Sequence, residues 1–220
     1  MDRDLAADLA PRLPPTAEIV TADFLEFDPA PLASAGPLRV AGNLPYNLST
    51  PILFKLLRAA AATAGQPTSV ASPAIVDATL MLQLEVADRL TARPGTKEYG
   101  VLTIFVTAQA DVARVLTLPP GAFRPAPKVH SALVRLTFKP PVVPSDLRDV
   151  FGRMVRSIFT QRRKTLGNAL RPFADAAGVG ALQALGEAGI DPARRPETLT
   201  LADLVALASA LTPPGLQAEP

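Results

Sequence analysis

The chain has 220 residues, 48% hydrophobic and 19% charged. That is enough apolar mass to bury a sizeable core, so disorder of the whole chain is excluded. The absence of Cys removes disulfides, thiolate catalysis and Cys-ligated metals, and the single His130 speaks against a His-cluster metal site or a His-based triad, so no metal is expected. The formal charge of +2 says little as a total. No apolar run reaches the roughly 18 residues of a membrane-spanning helix, and MDRDLAADLAPR reads as neither signal nor transit peptide. A soluble, cytoplasmic, monomeric protein without membrane contact is the expectation.

In chain order, residues 3–10 predict a short helix with Leu5 and Leu9 at i, i+4. AEIVTADF, 17–24, predicts a short strand ending at Asp23, and Leu38 to Ala41 a second strand that runs into a turn. A helix follows from Thr50 to Ala62, with Ser49 or Thr50 as N-cap and Pro51 at its first position. Residues 63–73 read as a polar loop, and 74–86 hold a strand passing into a helix over 85–92. VLTIFVTAQA, 101–110, is apolar throughout, so periodicity leaves helix and strand both open. Residues 111–119 predict a strand, 121–129 a Pro-punctuated loop, and 131–138 a strand with Ala132, Val134 and Leu136 on one side.

After a linker over 140–146 the pattern is helical only: one amphipathic run from Phe151 through Leu170, then helices over 181–190 and 201–211. Strand–helix alternation before 140 predicts an α/β sheet, and the helical run a small α domain. The expected division is residues 1–140, 145–213 and a tail over 214–220. Charge is unevenly spread. Residues 145–175 carry seven basic and three acidic residues, whereas 176–220 carry two and five. From Val150 to Pro172 there are Arg153, Arg156, Arg162, Arg163, Lys164 and Arg171 and no acid, which suits an RNA partner gripped through phosphate; the alternative is a solvated helix face.

Asn43-Leu44-Pro45-Tyr46 is the sharpest chemical signal. It follows an apolar strand and precedes a helix, the edge of an open α/β sheet where ligands bind. An Asn side-chain oxygen accepts from an exocyclic amine, a backbone carbonyl before Pro accepts the second N–H, and an aromatic ring stacks on a planar base. Such a site makes an amine nucleophilic toward a methyl sulfonium without a titrating residue. Taken alone, the four residues equally describe a strand-to-helix turn.

In VAGNLPYNLSTPILFKLL (40–57), MLQLEVADRLTARPGTKEYGVLT (81–103), FRPAPKVHSALVRL (123–136), FTQRRKTLGNAL (159–170) and GIDPARRPETLTLADLVALASAL (189–211), the sequence resembles the bacterial small-subunit ribosomal RNA adenine dimethyltransferases, the KsgA family. The segments come in the family's order and cover nearly the whole chain. The resemblance implies a class I, Rossmann-like methyltransferase sheet followed by a small all-helical RNA-binding domain. It implies S-adenosylmethionine as methyl donor and two adjacent adenosines near the 3′ end of small-subunit rRNA as acceptors. It also implies Asp23 and Asn43 at the donor. Asn43, Leu44 and Pro45 would meet the target amine, Tyr46 and Phe123 the two faces of the flipped adenine, and Arg153, Arg156, Arg162, Arg163 and Lys164 the RNA.

The departures are as specific. No G-x-G loop precedes the first strand, and MDRDL aligns with a stretch that follows the family's ribose-binding acid, so the family's first strand and Gly-rich loop are expected upstream of Met1. A misplaced start is the favoured reading of that departure, and the chain by itself is expected to bind the donor poorly or to misfold. Leu84 stands where the family often has Lys, and His130 where it often has Asp. Two alternatives stay open: the large-subunit rRNA methyltransferases of macrolide resistance, and a non-catalytic RNA-binding or ribosome-assembly remnant.

Overall fold

Four strands and eight helices carry the described part of the chain, which in this computed structural model is residues 3–29, 31–32, 36–62 and 75–212. In order these are α1 (Arg3–Leu9), β1 (Leu38–Asn43), α2 (Ser49–Ala62), β2 (Ile75–Gln83), α3 (Leu84–Leu90), α4 (Val101–Thr107), β3 (Ala110–Leu118), β4 (Ser131–Phe138), α5 (Arg148–Thr160), α6 (Leu166–Ala176), α7 (Ala181–Glu187) and α8 (Leu201–Ala210). The polar loop read at 63–73 and the tail over 214–220 lie outside the described residues.

The strands form one mixed sheet in the order β1-β2-β4-β3. β1 and β2 run parallel, with Asn43 opposite Met81, and α2 is their crossover. β4 inserts antiparallel between β2 and β3, so its backbone is paired on both sides. The predicted alternation holds: Ala132, Val134 and Leu136 are buried while Arg135 and Thr137 are exposed. On one side, Leu53, Leu56 and Leu57 of α2 pack on Ile75, Leu80 and Leu82.

The strand predicted over 17–24 is absent. A strand needs a neighbour for its N–H and C=O groups, and among the described residues none lies beside it. Ile19 and Val20 are 36% and 52% exposed, so the apolar run there signals no buried ladder. Asp23 instead opens a turn: its carbonyl accepts from the N–H groups of Glu26 (3.0 Å) and Phe27 (2.9 Å). The single basic run expected from Val150 to Pro172 is two helices, α5 and α6, broken at 161–165. The predicted stripe survives on both, because Phe151, Val155, Ile158, Leu166 and Leu170 are all buried.

α4 explains why periodicity was undecided at 101–110. Val106 belongs to the core under the sheet, whereas Ile104 and Ala108 belong to the core of α5–α8. A helix buried on opposite faces is apolar all round and carries no amphipathic signature. Phe105 extends the junction, meeting Phe54 of α2 edge-on at 5.9 Å and Phe151 of α5 edge-on at 6.1 Å.

A second junction lies in the loop before α4. The Tyr99 hydroxyl donates to the Leu199 carbonyl (2.8 Å), and the Gly95 N–H to the Glu197 carbonyl (2.7 Å). Arg162, at the end of α5, donates to the carbonyls of Lys97 (2.7 Å) and Thr96 (2.8 Å) and pairs with Glu197. Burial, and secondarily the negative Asp203, push the Tyr99 phenol up to about 12. The unfolded chain releases that proton first, near pH 10, so this contribution to stability is complete below pH 10 and drains away up to about pH 12. Urea midpoints compared at about pH 9 and about pH 11 are expected to fall less in Tyr99→Phe than in the unsubstituted protein. Tyr99→Phe should also lower stability by about 1 kcal/mol at neutral pH through the lost hydrogen bond.

Candidate functional site

The site forms where β1 ends. Asn43 is its last residue, and the Leu44 N–H still follows the ladder by donating to the Met81 carbonyl (3.3 Å). Pro45 then stops the strand, and the Pro45 carbonyl closes a turn onto the Leu48 N–H (3.0 Å) that feeds α2. Ser49, expected as an N-cap, is the first residue of α2; its hydroxyl turns back to donate to the Tyr46 carbonyl (3.0 Å). Pro51 sits in the first turn, where its missing N–H has no intrahelical role.

This turn is the shared wall of two clefts. The larger, about 540 Å³, is lined by Asp23, Phe24 and Leu25 on one side and by Val40, Gly42, Asn43, Leu44, Pro45 and Leu80 on the other. The smaller, about 230 Å³, is lined by Asn43, Leu44, Pro45, Tyr46, Phe123, Pro125 and Pro127. Asn43, Leu44 and Pro45 therefore face both spaces, with a carboxylate in one and two aromatic rings in the other.

The polar groups are unevenly engaged. Among the described residues the Asn43 side chain and the Leu44 carbonyl have no hydrogen-bond partner, while the Pro45 and Tyr46 carbonyls are taken by Leu48 and Ser49. Of the two backbone carbonyls proposed from the sequence, Leu44's is the free one. One oxygen of Asp23 accepts from the Leu25 N–H (2.8 Å), which leaves the other for a ligand.

Two contributors carried little sequence signal. Lys55 of α2 donates to the Leu25 carbonyl (2.7 Å) and lies 5.8 Å from the centre of the Phe24 ring, so it clasps the Asp23 turn onto the sheet domain. Its only hint was a lone cation inside the apolar run PILFKLL. Ser131, fully buried at the start of β4, meets the Tyr46 hydroxyl at 2.9 Å. Its hint was a hydroxyl opening an alternating strand, which by itself signals nothing.

The structure does not gather the basic residues into one free cluster. Arg153 pairs with Asp149 (2.7 Å) and lies over Phe173; Arg156 stacks over Phe105 at 4.7 Å and donates to the Gly152 carbonyl. Arg162 is committed to the loop before α4. Arg163 and Lys164 are exposed and unpaired among the described residues. Elsewhere, Glu85 with Arg89 and Asp88 with Arg114 form solvated ion pairs. The two positions that depart from the family pattern are neighbours, the Leu84 N–H donating to the His130 carbonyl (2.9 Å).

Comparison with known proteins agrees with this architecture. A dimethyladenosine transferase from Plasmodium falciparum superposes with a TM-score of 0.69 at 23% identity, covering 93% of this chain and 76% of that one. The 23S rRNA methyltransferase ErmE superposes at 0.60 and 25% identity, covering 95% and 77%. The fold is thus that of the Rossmann-like methyltransferases, an open α/β sheet with appended helices.

Residues 1–212 match the family model described as ribosomal RNA adenine dimethylase. Ribosomal RNA small subunit methyltransferase A of Acinetobacter baylyi is 45% identical over 218 residues, which are 97% of this chain and 73% of that protein. Its namesake in Acidithiobacillus ferrooxidans is 41% identical over 98% and 75%. The chain belongs to the ribosomal RNA adenine dimethylase family, and its reaction class is methylation of adenine in ribosomal RNA.

The clasp on the Asp23 turn is testable apart from chemistry. Lys55→Met keeps the stem but removes the charge and the hydrogen bond. It is expected to loosen the turn, raising hydrogen exchange at the Glu26 and Phe27 amides by about tenfold, equivalent to about 1.4 kcal/mol, with little change in thermal midpoint. Amide exchange followed by NMR in both proteins measures it.

Proposed function

We propose that the chain is an rRNA adenine N6-dimethyltransferase of the small ribosomal subunit, acting in the cytoplasm on two adjacent adenosines near the 3′ end of the rRNA. The observation that carries this reading is the pair of clefts meeting at Asn43–Pro45. A methyl donor and a methyl acceptor need adjacent spaces that share one wall. Relatives of 40% identity or more that bear the small-subunit name favour that substrate over the large-subunit alternative, represented by ErmE at 25%.

The larger cleft fits S-adenosylmethionine by the chemistry of its lining. The free oxygen of Asp23 suits an adenine amine, and Phe24, Val40 and Leu80 suit the ring. When bound, that donor supplies an electrophilic methyl group on a sulfonium. The protein's part is to present the acceptor. Tyr46 and Phe123 sandwich an adenine swung out of its stack, worth roughly 1–3 kcal/mol per base. The Asn43 side-chain oxygen and the Leu44 carbonyl accept its two N–H groups. Those bonds draw the nitrogen lone pair out of conjugation with the ring and point it at the shared wall. The step asks for no titrating residue, and neither Tyr99 nor Asp203, whose pKa values their surroundings move, lines either cleft.

We assign RNA gripping chiefly to Arg163 and Lys164 within the basic set, since Arg162 is consumed internally. The division into a catalytic unit over residues 1–140 and a helical RNA-binding unit over 145–213 is part of the same proposal, supported by the two separate cores.

The test is methyl transfer from tritiated S-adenosylmethionine to undermethylated small subunits. Asn43→Ala is expected to cut the rate by at least about 100-fold while leaving RNA binding intact. Arg163→Glu with Lys164→Glu is expected to weaken RNA binding and to lower the salt slope by about 1.4, at about 0.7 for each phosphate no longer neutralised. A chain that binds RNA yet transfers nothing, with S-adenosylhomocysteine failing to bind, would support the non-catalytic alternative instead.

A further inference from the structure

The described residues contain three buried polar side chains outside the apolar cores: Ser49, Thr103 and Ser131. Two of the three serve one residue. Ser49 holds the carbonyl of Tyr46, and Ser131 meets its hydroxyl. Tyr46 itself is 36% exposed, with the rest of its ring facing the smaller cleft. The residue is therefore held at its backbone carbonyl and at its phenol oxygen, and it lines the cleft together with Phe123, Pro125 and Pro127.

We infer that Ser131 is a positioning residue that locks the Tyr46 ring in the plane that receives the adenine. The inference rests on the proposed function and adds to it a residue that the Asn43–Tyr46 motif does not contain. Three observations converge on it. Ser131 is 0% exposed, although Arg135 and Thr137 on the same face of β4 are exposed. Its backbone is paired on both sides, with Gln83 of β2 and with Leu118 of β3. The neighbouring His130 carbonyl, holding the Leu84 N–H, extends that pairing by one residue.

The third observation is chemical. A Phe at position 46 would stack on a base as well as Tyr does, because stacking uses the ring face. The phenol oxygen is accounted for by its anchor: it converts a side chain with two free torsions into a fixed platform before the base arrives. Preorganisation of this kind acts on the rate once substrate is bound, more than on the binding of a large RNA held elsewhere.

The experiment uses the full chain with tyrosine labelled at 13Cζ. The chain has two tyrosines, so two signals report Tyr46 and Tyr99 separately, and Tyr46→Phe assigns them. In Ser131→Ala the Tyr46 signal is expected to shift while the Tyr99 signal stays, which also shows that the fold is intact. In transfer assays, Ser131→Ala and Tyr46→Phe are each expected to lower kcat by about tenfold with KM for the ribosomal subunit within about twofold. The double variant should be no slower than either single one.

An unmoved Tyr46 signal in Ser131→Ala, or additive losses in the double variant, would overturn the inference. So would a loss confined to KM. Absence of transfer by the unsubstituted chain would instead overturn the proposed function, and the tyrosine signals would still decide for or against the Ser131 contact.

Discussion

α4 has no side that can face water, and the rest of the molecule is arranged around that constraint. Val106 is buried under the sheet, Ile104 and Ala108 in the helical core, and Phe105 joins Phe54 to Phe151. A seven-residue helix cannot be stable on its own. It persists because two hydrophobic clusters close on it, and neither cluster is complete without it. The hydrogen bonds that reach across from Tyr99 and Arg162 add direction to an attachment whose energy is mostly apolar.

The same economy governs the site. The linings of its two clefts hold one carboxylate, Asp23, and no His. On the proposed function its chemistry is positional: a strand that stops at a Pro, one carbonyl left free because its neighbours are used, and two aromatic residues lining one cleft. Asp203 shows the contrast. There burial raises the carboxyl, but the Thr200 N–H and Arg194 outweigh it and leave the pKa below the usual value, in the service of capping α8. On the proposed function the acceptor amine meets only neutral groups, the Asn43 side chain and the Leu44 carbonyl.

Much of this was legible in residue order. β1, α2, β2, β4 and the helices after 145 stand close to where hydrophobic period and Pro placement put them, and the family resemblance gave the fold class. The turn from Asn43 to Tyr46 could be placed at the end of β1 because its spacing is local. The strand misassigned over 17–24 fails for a reason no local pattern carries: Ile19 and Val20 look like a ladder segment, but a ladder needs a partner. The break between α5 and α6 was hidden because the apolar stripe continues across it in phase. Lys55 and Ser131 were hidden because their roles depend on Leu25 and Tyr46, which lie 30 and 85 positions away in the chain.

Arg162 has a consequence of a different kind. It spends its guanidinium on the carbonyls of Thr96 and Lys97, so the two basic residues that follow it are held at a set distance from the sheet. On the proposed function, the protein then works as a caliper. One jaw rests on the RNA backbone at Arg163 and Lys164, the other is the cleft at Tyr46, and the gap between them is bolted. Such an instrument chooses its adenosines by where they lie relative to the gripped backbone, and the identity of the surrounding bases need not be read at all.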